Sequence, residues 1–215
     1  KLWKQEELPV PGLFAPALPR TRAGMREMLI VTTGGSIDKT YNLEASEFQV
    51  GAPAVRRMLK SVGKLQQRIE VKELCRKDSL QLTDDDRAAI VKLVREAPQG
   101  VILITHGTDT IQQTALAVEQ AAIEAQKVVV LTGALRPESF KETDAYFNFG
   151  SAVAVAPYLA PGAHVVFRGV VFSKPETLRK DGDTFVDDAN PAPPRRHSNG
   201  GRGGGEKGGR GRGPR

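Results

Sequence analysis

"GVILITHGTDTIQQTALAVEQAAIEAQKVVVLTGA", residues 100–134, decides the fold class. Four apolar residues at 101–104 form a run too short for a helix. A run with no polar alternation is expected of a central parallel strand covered on both faces. Ile111, Ala115, Val118 and Ala122 then recur at helical spacing. A second buried strand follows in "KVVVLTGA". Strand, helix and strand of these lengths make one crossover unit of a parallel sheet.

The same alternation extends in both directions. "MLIVTTGGSIDKTY", residues 28–41, opens on an apolar strand and breaks at paired glycines. "APAVRRMLKSV" sets Val55, Met58, Leu59 and Val62 on one helical face, and "RIEVKEL" reads as a strand. Thr83 starts the next helix, with Asp86 as its capping-box partner and Ile90, Leu93, Val94 and Ala97 as its apolar stripe. Phe149, Ala152, Val153 and Ala156 mark another helix, stopping near Pro157. "HVVFRGVVF" closes the series as a strand. The expected fold is a single α/β domain over 25–189. It has a doubly wound, mostly parallel sheet, three layers of Rossmann-like or flavodoxin-like type, and right-handed crossovers.

The flanks differ in composition. Residues 1–24 carry prolines at 9, 11, 16 and 19 and no sustained periodicity, and read as an irregular or disordered leader. Residues 190–215 run into "NGGRGGGEKGGRGRGPR", too poor in apolar surface to fold, and read as a disordered Gly/Arg-rich tail. The net charge is +6. Residues 195–215 hold seven Lys or Arg and one Glu, so the whole excess sits there and the remainder is balanced. Nucleic-acid attraction is therefore expected only non-specifically, through the tail. Cys75 is the one cysteine, which excludes an internal disulfide and fits a cytoplasmic setting. No apolar run reaches membrane-span length, and no secretory pattern opens the chain.

Three strand ends share a character: "TTGGS" (32–36), "THGTDT" (105–110) and "LTGALRP" (131–137). Each offers hydroxyls and glycine where open α/β sheets bind ligands. The helix after "THGTDT" presents free N–H groups to an anion such as a carboxylate. Asp109 suits a cation such as an ammonium, so the pair fits an amino acid. Asp109 and Thr110 also read as helix N-caps, each with a Gln three residues on. No G-x-G-x-x-G follows the first strand and no G-K-[ST] exists, so dinucleotide and P-loop sites are missing. His106, His164 and His197 are too scattered for a zinc site. His106 is a formal candidate for a Ser-His-Asp triad, against its reading as a polar residue packed at a strand end.

"TTGGSID", "KDSLQLTDDD", "ITHGTDTIQQTA" and "LTGALRP…TDAYFN" together resemble the bacterial-type L-asparaginases, over about residues 26–185. The short members, built of the N-terminal catalytic domain alone, are the nearest match. The resemblance implies an amidohydrolase that converts L-asparagine to L-aspartate and ammonia without metal or organic cofactor. It implies Ser36, directly after the paired glycines, as nucleophile and Tyr41 as its assistant. It implies Thr108 and Asp109 as the catalytic Thr-Asp pair, with Lys180 of "LRKDG" joining Thr108. Substrate contacts fall on Ser79 and neighbouring Asp78, on Gly107, Thr108 and Asp109 (the last for the α-amino group), and on backbone around Gly133 and Ala134. An acyl-enzyme on Ser36 is the implied route, with direct water attack as its rival. The partners implied are the small-molecule substrate and further copies of the chain, as a homodimer or higher homo-oligomer.

The chain departs from the family pattern at two positions. Serine stands at 36 where the family usually has threonine, and Phe48 replaces the tyrosine of longer relatives. Glutaminase or broader amidase activity is one alternative. An amino-acid-binding protein with weak catalysis is another.

Overall fold

The computed structural model describes residues 27–65 and 67–190. The leader, residue 66 and 191–215 lie outside the described residues, and with them the readings of residues 1–24 and of all but the first residue of the tail. The central sheet contains β1 (Glu27–Gly34), β4 (Arg68–Lys77), β5 (Val101–Thr105), β6 (Val128–Thr132), β7 (Gly162–Phe167) and β8 (Val170–Phe172). Its order is β4-β1-β5-β6-β7-β8, with every pair parallel except β7 and β8. β5 and β6 are buried along their whole length, as their unbroken apolar runs require.

Among the described residues, four α-helices cover the sheet. α1 (Val55–Val62) and α4 (Ala145–Val155) lie on one face, where Met28, Ile30, Leu103 and Val130 meet Val55, Met58 and Phe149. α2 (Asp84–Glu96) and α3 (Ile111–Glu124) lie on the other, where Leu29, Val31, Ile104 and Leu131 meet Ile90, Leu93 and Val118. Neighbouring residues of each strand thus feed opposite layers. α2 starts as its sequence dictates: Thr83 and Asp86 form a reciprocal capping box. α1 is shorter-sided than its pattern implies, since Val62 is exposed and Leu59 only partly buried. Among the described residues no helix is long and apolar enough to cross a membrane.

One crossover breaks the expected handedness. The connections β1–α1–β4, β4–α2–β5 and β5–α3–β6 share one hand, given the strand order and the faces their helices cover. β6–α4–β7 runs the same way along the sheet as its two predecessors, yet α4 lies on the opposite face. It therefore has the opposite, left-handed sense. The cause is space. α3 packs across both β6 and β7 on its own face, so α4 finds room only on the other. This brings the β6–α4 connection beside α1.

Among the described residues, three hairpins are additional. β2 (Lys39–Asn42) pairs with β3 (Glu47–Val50), and β9 (Leu178–Asp181) pairs with β10 (Thr184–Asp187). "HVVFRGVVF" is two strands rather than one, because Arg168 (φ 49°) and Gly169 (φ 78°) turn β7 back into β8. Two successive positive φ values are the hairpin geometry that matches strand twist.

Candidate active site

The strand order reverses between β1 and β5, so the loops leaving these strands part around a crevice. Thr33 begins the site by donating its hydroxyl to the Thr105 carbonyl at 2.9 Å. Gly34 (φ 104°) and Gly35 (φ 84°) follow in a region that side chains rarely adopt. A Cβ on Gly34 would strike the Lys77 backbone, and one on Gly35 would strike the backbone of His106 and Gly107. The glycines thus let the β1 loop touch both neighbouring loops. Ser36 comes next, opening a 3-10 turn over Ser36–Asp38.

Gly107 is under the same constraint from the other side. A Cβ there would lie 2.6 Å from Ser79 Oγ. Thr110 Oγ1 donates to the Ser79 carbonyl at 2.8 Å. Thr110 stands at the N-cap of α3 but makes no side-chain capping bond, nor does Asp109 supply one. The capping reading of this pair thus gives way to a different use, in which Thr110 fastens the β4 loop and leaves the helix N–H groups uncapped by side chains. Ser79 is 1% exposed, and its hydroxyl is buried with no hydrogen-bond partner among the described residues. A buried, unpaired hydroxyl at a loop junction is an acceptor or donor available to a ligand.

Lys180 completes the cluster from β9. Its Nζ donates to Thr108 Oγ1 at 3.1 Å and to the Asp109 carboxylate. Leu178, two residues earlier, is buried in the core, and Phe185 opposite Lys180 packs edge-on to Phe167 at 5.1 Å. Strand alternation then turns Lys180 toward the body and Arg179 and Asp181 outward.

Gly133 approaches the His106 carbonyl so closely that no Cβ fits, and lies beside the Thr108 methyl. Ala134 is buried behind it. Two α4-side residues to which the sequence assigned no role hold this loop. Asn148 Nδ2 donates to the Gly133 carbonyl at 3.0 Å and to Asp144 at 2.9 Å. The Asp144 carboxylate also accepts the N–H groups of Leu135 and Arg136 at 3.1 and 3.0 Å. Both lie in the "TDAYFN" motif, which was the available signal.

The remaining candidates serve the frame. Asp78 accepts from Lys39 Nζ at 2.7 Å and from the Leu80 N–H, and the lysine holds its carboxyl below the usual range. Tyr41 stands in the β2–β3 hairpin, about half exposed, with its ring edge-on to Phe48 at 5.4 Å. Its hydroxyl makes no hydrogen bond with a described residue. His106 is fully buried, with Nδ1 2.7 Å from the Gly107 carbonyl and Nε2 2.8 Å from Thr114 Oγ1. A carbonyl only accepts, so Nδ1 carries the proton and Nε2 accepts from threonine. Burial pushes this imidazole down to about 4. It is a neutral strut under Gly107, and both nitrogens are engaged away from any serine, which removes the triad reading.

Comparison with known proteins bears on the family and the fold. The family model "Asparaginase, N-terminal" matches residues 27–184. A probable periplasmic L-asparaginase of Haemophilus influenzae is 27% identical over 62% of this chain and 40% of its own length. A component of the glutamyl-tRNA(Gln) amidotransferase of Pyrobaculum aerophilum is 31% identical over 84% of this chain and 41% of its own. The solved thermostable L-asparaginase of Thermococcus kodakarensis superposes with a TM-score of 0.59 at 25% identity, covering 77% of this chain and 57% of that one. The chain thus spans about two fifths of the length of these curated relatives. On the match across 27–184 and the fold it shares with this solved structure, the chain belongs to the asparaginase N-terminal family.

Proposed function

We propose that this chain is an amidohydrolase that cleaves L-asparagine to L-aspartate and ammonia. The observation that carries the reading is Lys180 Nζ, set against both Thr108 and Asp109 at the strand edge where Gly35 delivers Ser36. Asp109 offers a carboxylate to the substrate ammonium. The N-terminus of α3 and the Ser79 hydroxyl offer donors to its carboxylate. Ser36 Oγ attacks the side-chain amide carbon and passes its proton by way of Thr108 Oγ1, which Lys180 holds in place, toward the amide nitrogen that leaves. The tetrahedral intermediate collapses with expulsion of ammonia, which takes up a proton, and leaves an ester on Ser36. Water then adds to the ester carbonyl, returns the hydroxyl to Ser36 and releases aspartate. Backbone N–H groups around Gly107 and Thr108 are the source of oxyanion stabilisation. Tyr41, in the β2–β3 hairpin, assists Ser36 in this scheme, as the family resemblance implies.

The folded domain over 25–189 carries this activity, in the cytoplasm, as a homodimer or higher homo-oligomer. Glutamine and other primary amides fall within the same chemistry, at rates set by pocket length. The test is coupled ammonia release from asparagine and glutamine by the full chain and by Ser36→Ala and Ser36→Thr. Loss of turnover in Ser36→Ala with activity kept or raised in Ser36→Thr is expected. Unchanged turnover in Ser36→Ala removes the nucleophile. Serine in place of the family's threonine favours one second reading, an amino-acid-binding protein. Saturable asparagine binding by calorimetry without ammonia release would establish it.

A further inference from the structure

Asp38 is a buried carboxylate, 1% exposed, that the amide chemistry above does not use. It ends the 3-10 turn that Ser36 opens. Its N–H donates to the Gly35 carbonyl at 3.1 Å, and its carbonyl accepts the Gly51 N–H at 2.9 Å. Its Oδ1 accepts the N–H of Ala54, the residue before α1, at 2.7 Å. One residue back, the Ile37 carbonyl accepts the Glu138 N–H at 3.1 Å. The Glu138 carboxylate in turn receives both Nε and Nη2 of Arg57, at 2.9 and 2.6 Å, and the Tyr146 hydroxyl at 2.7 Å. Arg57 belongs to α1 and Tyr146 to α4. The Ser36 turn, α1 and the β6–α4 connection therefore close into one ring of hydrogen bonds. The left-handed crossover makes this ring possible, since it brings residue 138 to the α1 side.

We propose that Asp38 is a positioning residue for Ser36, its buried carboxylate locking the turn that carries the nucleophile onto the start of α1. The proposal rests on the reading of Ser36 as nucleophile. A serine lacks the methyl group that narrows χ1 in threonine, so its placement depends more on a fixed backbone. An ionised acceptor makes the bond to Ala54 stronger than a neutral one would.

The lock titrates in the working range. Burial pushes the Asp38 carboxyl up to about 7, against the pull of the Ala54 N–H and of Arg57 on α1. Glu73 on β4 and Glu138 on the β6–α4 connection add to the rise, and Arg76 on β4 is the further charge that feels Asp38. The carboxylate is thus charged above about pH 7 and takes a proton below it. Ammonia release should accordingly rise with pH through about 7.

The experiment compares the full chain with Asp38→Asn and Asp38→Ala. Ammonia release from asparagine is followed from pH 5.5 to 8.5, and the amide resonances of Ala54 and Ser36 are followed by NMR over the same range. Asn keeps an oxygen for the Ala54 N–H but cannot titrate. The expected result is that Asp38→Asn loses the rise near pH 7 and that Asp38→Ala loses roughly ten- to a hundredfold in kcat with KM little changed. Asn should recover the loss caused by Ala only to the level that the wild type shows below pH 7, where Asp38 too is a neutral acceptor. In the wild type both amides should shift with a midpoint near 7, and in Asp38→Asn neither should. A wild-type pH profile in Asp38→Asn, unchanged kcat in Asp38→Ala, or amides that ignore pH would each overturn the proposal. If Asp38→Ala fails to fold, the Asn variant and the NMR titration decide it. If the wild type hydrolyses no amide, the enzyme reading fails by itself, and the amide titration still decides whether Asp38 holds the turn.

Discussion

Lys180 and Thr108 stand 72 residues apart in the chain and 3.1 Å apart in space. The motifs held their identities but not the separations between them, because distances between loops are set by packing. Lys180→Met should leave the fold intact, since Leu178 and Phe185 anchor its hairpin, and reduce turnover by about 10²- to 10⁴-fold. Circular dichroism with ammonia assays checks both halves. Ser79 and Gly107 were each singled out by a motif, but their mutual contact was not legible: it depends on a missing Cβ. Gly107→Ala should displace Ser79 and raise KM for asparagine while the far-UV spectrum stays that of the wild type. Asp38 was not legible at all, because an aspartate two residues past a turn looks like any solvated acid. Its folded pKa of about 7 lies above its ordinary 3.8. Between those values the folded state binds the extra proton, so the stability Asp38 contributes at low pH is lost as pH rises from about 4 to about 7. The loss is of order 4 kcal/mol for a group this buried. His106, held neutral, acts in the opposite direction. It is common to wild type and variant and cancels in the difference. Urea unfolding of Asp38→Asn minus wild type should therefore show the variant gaining relative stability across that window and holding the gain above pH 7.

Helices with caps and strands with unbroken apolar runs were readable because their causes are local. The Thr83–Asp86 box, the fully buried β5 and the stripe of α3 all depend on residues within a few positions of one another. The hairpins and the left-handed crossover were not readable, because their cause lies elsewhere in the molecule. α4 changes face since α3 already occupies the space over β7. The C-terminal hairpin forms since Phe185 finds Phe167 and Phe172, at 5.1 and 6.3 Å between ring centres. Phe185→Ala should cost about 3–5 kcal/mol and loosen β9. Turnover should fall with it, although Phe185 is placed against no substrate group, and a double variant with Lys180→Met should lose little more activity than Lys180→Met alone. At the opposite end of α2, Lys127 reaches three carbonyls, those of Val94, Arg95 and Ala97, at 2.5, 3.1 and 2.6 Å. This is a C-terminal cap drawn from the α3–β6 connection, invisible to any local rule. Lys127→Met should leave those carbonyls unpaired, lower stability by about 1–3 kcal/mol and lower the thermal midpoint, without altering KM.

Across the whole molecule, the candidate site lies at the reversal point of the strand order, between β1 and β5. That placement was inferable once three polar strand ends were seen, since a parallel sheet sends all of them to one edge. Charge is distributed by a different logic. The chain carries +6, all of it accounted for by residues 195–215, while the remainder is balanced. A balanced body has no long-range attraction for phosphate backbones, so any polyanion binding belongs to the terminal segment. The full chain should therefore hold single-stranded RNA at low salt, with an affinity that falls as salt rises by about 0.7 log units per log unit of salt for each phosphate neutralised. Deleting 195–215 should remove that binding and leave ammonia release per molecule unchanged. Filter binding at several salt concentrations, beside the ammonia assay on both chains, separates the two properties. Salt-sensitive binding that survives the deletion would place a basic surface on the folded body, and the strand edge that presents Lys180, Lys39 and the uncapped start of α3 would be the first region to map.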